Sequence, residues 1–123
     1  MADAKPKMVY NAPRFMVKQY DWDVFVGPAA GDPAVDTTLT DLDTGEEVKI
    51  SDFKGKWLVL ETGSATCSMY TKNIPDMKAI EDDFPDVEFR LIYVREAHRG
   101  ERLHQHRSIE EKVEAAQMLK SRY

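Results

Sequence analysis

The chain has 123 residues and a formal net charge of −5, with 42% hydrophobic and 32% charged residues. That length suits one small domain and leaves no room for two, and the acidic balance argues against nucleic acid or an anionic membrane surface as the main partner. No apolar run approaches the roughly 18 residues of a membrane span, and no apolar segment follows Lys5 and Lys7 as a secretory signal requires. The single cysteine, Cys67, excludes an internal disulfide and a CxxC redox pair. A protein of the reducing cytoplasm is therefore expected.

Residues 1–30 are expected to form an N-terminal extension, and residues 31–123 one domain. The extension starts polar and carries one short helix, entered at Asn11-Ala12-Pro13 and running to Tyr20 on the spacing of Phe15, Met16 and Tyr20. Phe15, Tyr20, Trp22 and Phe25 read as packing residues that cover part of a sheet. Gly27 to Pro33 is a loop. Thr37 to Asp41 and Glu46 to Ile50 are short alternating runs around Leu42-Asp43-Thr44-Gly45, a turn signal, so they predict a β-hairpin. Ser51-Asp52-Phe53 predicts one helical turn. Lys56 to Glu61, with Trp57-Leu58-Val59-Leu60, predicts a buried strand.

Thr66 to Asp82 predicts a helix that Pro75 kinks or restarts. Val87 to Val94 predicts a second buried strand on Phe89, Leu91, Ile92 and Val94. Arg95 to Arg107 is a charged loop holding all three histidines, His98, His104 and His106. Ser108 and Glu111 form a capping box for a last helix, whose apolar stripe is Ile109, Val113, Ala116 and Leu119. Glu110, Glu111, Lys112 and Glu114 are its solvated face. The order strand, helix, strand, helix predicts a βαβα core with a parallel strand pair.

The thiol falls at the strand-to-helix junction, in the first helical turn. Amide N–H groups and the positive end of the helix dipole favour a thiolate there. Ser64 and Thr66 serve the turn and cap, and either hydroxyl can hydrogen-bond a thiolate. A histidine can deliver a proton near neutral pH. Each feature has a plainer counterpart. Cys67 can be a buried small hydrophobe, the histidines can be solvated, and Arg95 with Glu96 can be a surface ion pair. Cys67 with the histidines lacks the spacing of a zinc finger, so no metal is expected.

Gly31-Asp32-Pro33-Ala34, Leu39 to Asp43 and Ser51 to Lys56 resemble the start of peroxiredoxin-type members of the thioredoxin fold. Gly63-Ser64-Ala65-Thr66-Cys67 resembles more specifically the active-site segment of the iodothyronine deiodinase family, where selenocysteine or cysteine stands last. Tyr93-Val94-Arg95-Glu96-Ala97-His98 resembles that family's segment after the second core strand. Gln105 to Glu110 and Ala115-Ala116 resemble its next helix. The resemblance implies a thioredoxin-like α/β fold, here an N-terminal β-hairpin plus a βαβα core. It also implies reductive dehalogenation at the position of Cys67, with His98 and His106 assisting by proton transfer or substrate contact and Glu96 in the same constellation. Cysteine replaces the stronger nucleophile selenocysteine, and Ser68 stands where the family often has proline. The thioredoxin fold has two more antiparallel strands and a last helix beyond the stretch seen here. The expectation is therefore an incomplete fold with the strand at Lys56 to Glu61 as an open apolar edge.

The function expected on this basis is a deiodinase-like thiol oxidoreductase acting on a small-molecule substrate. It has no bound cofactor and is recycled by an external thiol reductant, because no resolving cysteine is present. A one-cysteine peroxiredoxin-like peroxidase is the alternative, although the Pro-x-x-x-Thr/Ser-x-x-Cys segment of such sites is absent. A further alternative is a non-catalytic fragment that assembles, as a homodimer, through the open sheet edge.

Overall fold

The computed structural model describes residues 27–97 and 106–123. The helix predicted before Tyr20, the aromatic group before residue 26, His98 and His104 lie outside the described residues. Among the described residues the fold is mixed α/β, with two small sheets and two α-helices.

The first sheet pairs β1 (Thr38–Thr40) with β2 (Glu47–Lys49) antiparallel, Leu39 opposite Val48. The link between them is closed by side-chain chemistry. The Asp41 carboxylate accepts the backbone N–H of Asp43 at 2.8 Å and of Thr44 at 3.0 Å, and the N–H of Gly45 reaches the carbonyl of Asp41 at 2.8 Å. Gly45 has φ +73°, a left-handed conformation that glycine adopts without steric cost. A 3-10 turn over Ile50–Phe53 follows, with Asp52 accepting the N–H of Lys49 at 2.8 Å.

The second sheet pairs β3 (Leu58–Gly63) with β4 (Glu88–Tyr93) in parallel, in register from Leu58–Glu88 to Gly63–Tyr93. Helix α1 (Ser68–Asp83) makes the crossover, and α2 (Ile109–Arg122) follows β4. The α1 side of β3 presents Val59, Glu61 and Gly63. The opposite side meets the β1–β2 pair and α2.

Several expectations are corrected. The strands are not buried: in β3 only Gly63 is, and Trp57 just before it is 83% exposed. The described neighbours leave cavities of about 370 Å³ and about 190 Å³ against the two faces of the sheet, so Val59, Leu60 and Leu91 keep contact with solvent. Helix α1 runs through Pro75 as one element. Pro75 faces solvent, where water can serve the carbonyl that has lost its N–H partner and a helix tolerates the distortion. The helix begins at Ser68, which makes Cys67 its N-cap and not a residue of its first turn. On α2 the buried residues are Ala115, Ala116 and Leu119, whereas Ile109, placed in the apolar stripe, is exposed.

The start of α2 does use Ser108, whose hydroxyl accepts the N–H of Glu111 at 3.2 Å. The returning arm falls one residue early: the Glu111 carboxylate takes the N–H of Arg107 at 2.7 Å. At the other end of α2, the Lys120 ammonium pairs with the Asp43 carboxylate in the turn between β1 and β2.

Candidate functional site

In a parallel sheet the loops after the strands collect at one edge, where ligands characteristically bind. Here β3 and β4 end together at Gly63 and Tyr93, and the N–H of Val94 still reaches the carbonyl of Gly63 at 3.0 Å. The segments leaving them, Ser64 to Cys67 and Val94 to Ala97, are therefore neighbours. The start of α2 brings His106 to the same place.

Cys67 is half-buried, with extended backbone at φ −84° and ψ 101°. Its N–H donates to the Ser64 carbonyl at 3.2 Å, and its own carbonyl accepts the N–H of Thr71 at 3.0 Å. Its thiol makes no capping hydrogen bond. The next three amides, of Ser68, Met69 and Tyr70, open the helix and have no acceptor within it. The helix start thus offers the sulfur both N–H donors and the dipole.

Glu96 is the centre of the site. It is 0% exposed, so its surroundings correct the surface-pair reading; Arg95 beside it is exposed. One carboxylate oxygen, Oε2, accepts the backbone N–H of Thr66 at 3.1 Å and the Thr66 hydroxyl at 2.6 Å. The other, Oε1, accepts the Tyr93 hydroxyl and lies 3.2 Å from His106 Nε2. That separation suits an ion pair when the ring is protonated, but Nε2 makes no aligned hydrogen bond among the described residues. The His106 side chain is 8% exposed, and its ring meets that of Tyr93 edge-on, centroids 5.8 Å apart. A buried carboxylate requires this density of donors, because its desolvation is otherwise prohibitive.

Tyr93 links the two loops. While its hydroxyl donates to Glu96, its oxygen accepts the N–H of Ala65 at 2.9 Å. Burial is the main reason its ionisation is pushed well above the usual phenol range, and the bond to Glu96 adds to it. The phenol therefore stays a donor. Ser64, 1% exposed, accepts the N–H of Ala97 at 3.3 Å and lies 3.5 Å from the Thr66 hydroxyl.

Of the residues singled out in the sequence, the structure gathers Ser64, Thr66, Glu96 and His106 into one network, and Cys67 adjoins it through Thr66. Tyr93 and Tyr70 were not singled out. Tyr93 carried a signal, a polar-tipped aromatic at the end of a strand three residues before Glu96, but its partner Ala65 is visible only in the fold. Among the described residues, no three His, Cys, Asp or Glu side chains converge on a metal position, and no helix is long and apolar enough to cross a membrane.

The chain resembles two curated proteins. It is 30% identical over 93 residues to a type II iodothyronine deiodinase of Fundulus heteroclitus, an alignment covering 63% of this chain and 35% of that protein. It is 27% identical over 82 residues to a protein of Arabidopsis thaliana named as a chloroplastic glutathione peroxidase, covering 67% of this chain and 35% of that one. The match thus spans about a third of each relative's length. The family model of iodothyronine deiodinase matches residues 3–123, nearly the whole sequence, and by that match the chain belongs to the iodothyronine deiodinase family.

Proposed function

We propose that this chain carries a thiol-dependent reductase centre with a thioredoxin-like arrangement. Cys67 is the nucleophile, and the network of Thr66, Glu96, Tyr93 and His106 orients the thiol's loop and supplies a proton. The observation that carries this reading is the fully buried Glu96, held on one side by the residue next to the thiol and faced on the other by His106. Buried titratable groups gathered around a partly exposed thiol mark sites of chemistry more often than sites of pure structure. Membership of the deiodinase family supports, as the first reading, reduction of a halogenated small molecule.

The reaction balances as follows. The Cys67 thiolate attacks the iodine of an aryl iodide, the carbon–iodine bond breaks, and the ring carbon takes a proton from His106 or His98. Cys67 is left as a sulfenyl iodide. One external thiol displaces iodide to give a mixed disulfide, and a second releases Cys67 as the oxidised dithiol leaves. Two thiols are oxidised for each carbon–iodine bond reduced. Ser64 and Thr66 support the loop, and no bound cofactor is required.

The glutathione peroxidase likeness favours a second reading, in which Cys67 attacks a peroxide oxygen, becomes a sulfenic acid and is reduced by the same external thiols. Iodide release from an iodinated aromatic with added dithiothreitol tests the first. Cys67→Ser abolishes turnover, and His106→Ala slows it about 100-fold, the usual weight of a positioned acid. Unchanged turnover in both variants overturns the proposal, and faster reduction of hydrogen peroxide than of the aryl iodide transfers the assignment to the second reading.

A further inference from the structure

We propose that Tyr70 is a positioning residue for Cys67: its ring lies flat on the bare backbone of Gly63 and pins the first turn of α1, with its cysteine cap, to the end of β3. The inference deepens the reading of Cys67 as a nucleophile and rests on it. A Cβ on Gly63 would stand 2.6 Å from both Cγ and Cδ1 of Tyr70 and 2.7 Å from Cδ2. Three ring atoms at nearly one distance describe a ring face laid over the Cα. They belong to the base of the ring, which cannot swing aside as the tip of a flexible chain can.

Backbone conformation does not explain the glycine. Gly31, Gly45 and Gly55 have positive φ, and Gly63 does not. It is an ordinary strand residue, paired in register with Tyr93, where a side chain normally strengthens the sheet. The ring of Tyr70 occupies the space that side chain would need.

The consequence for the thiol follows from spacing. Gly63 is four residues before Cys67 and Tyr70 three after it, so their contact closes a short loop with the thiol inside. The residues ahead of Cys67 are held separately, Ala65 by Tyr93 and Thr66 by Glu96. Tyr70 holds the chain on the far side. From Gly63 the ring is directed along the α1 side of β3 towards Glu61, whose charge, after burial, helps to push the Tyr70 hydroxyl up to about 12. The contact with Gly63 is made by the base of the ring and not by the hydroxyl, so the ring face is the working part.

The test is the rate of iodoacetamide alkylation of Cys67 against pH in the folded chain. Tyr70→Phe stays within about twofold of the wild type, because the ring remains. Tyr70→Ala changes the neutral-pH rate about tenfold or more, since small displacements of a reacting group carry large kinetic penalties, and its midpoint departs from that of the wild type. Gly63→Ala, which displaces the ring without deleting apolar surface, does the same and serves if Tyr70→Ala does not fold. Ile74→Ala, one turn further along α1 and the buried residue of that helix, lowers stability and leaves the midpoint alone. Wild-type rates and midpoints in Tyr70→Ala or Gly63→Ala overturn the proposal, as does an equal shift in Ile74→Ala. The two readings fail separately: a Tyr70-dependent midpoint without turnover on halide or peroxide overturns the redox reading alone, and turnover with a midpoint indifferent to Tyr70 overturns the positioning alone.

Discussion

Glu96 shows how much a single buried charge demands of its neighbours. Its two oxygens receive the Thr66 N–H, the Thr66 hydroxyl and the Tyr93 hydroxyl, and His106 faces it. Replacing it with alanine leaves those donors enclosed without their acceptor, at about 1–3 kcal/mol for each group that finds no substitute. Partial rearrangement reduces the sum, so Glu96→Ala is expected to lose about 2–4 kcal/mol in urea unfolding. A loss below about 0.5 kcal/mol, the range of an ordinary surface change, would show that the network contributes nothing to the fold. Glu96 was legible as a site residue only through the segment Tyr93 to His98. Composition alone places a glutamate at the surface, and nothing local announces that two donors from Thr66, thirty residues earlier, will join the Tyr93 hydroxyl in closing over it.

At the scale of elements, the turn between β1 and β2 makes a pH prediction. The N–H groups of Thr44 and then Asp43 hold the Asp41 carboxyl below its ordinary value, and Arg90 adds a smaller effect. A carboxyl lowered on folding stabilises the fold above its unfolded value near 3.9, and that contribution is lost as pH falls through the folded value. Asp41→Asn keeps an acceptor for the turn but cannot titrate. Acid unfolding followed by circular dichroism should therefore be less steep in the variant, with the neutral-pH spectrum retained; identical acid profiles would show that Asp41 does not contribute. Short-range signals such as the turn Leu42 to Gly45 and the cap Ser108 were readable because each acts within three or four residues of itself, whereas Asp41, read as the end of the first strand, closes that turn with its side chain. The helix does not restart at Pro75, because that residue sits on the side of α1 that faces water, and Ile109 was misread because an apolar residue in register with a stripe still needs an opposing surface.

For the whole molecule, the parallel pair is the organising feature and also the exposed one. Among the described residues β3 has one partner strand, β4, and Val59, Leu60 and Leu91 meet solvent. An open edge with apolar faces invites a second chain. Light scattering is expected to show a homodimer that Val59→Lys shifts toward monomer, and a monomer at high concentration would remove this expectation. The sequence by itself determined the order of strands and helices, the turn chemistry and the junction that carries Cys67, because those depend on neighbours a few residues away. Only the tertiary structure decided that Tyr93 bridges the two loops, that Glu96 is buried against His106, and that Tyr70 lies on Gly63. Ala65 and Tyr93, and Thr66 and Glu96, are 28 and 30 positions apart and meet only after the parallel strands have paired, and the nearer pairs Gly63–Tyr70 and Glu96–His106 depend on how the helices are placed against the strand ends.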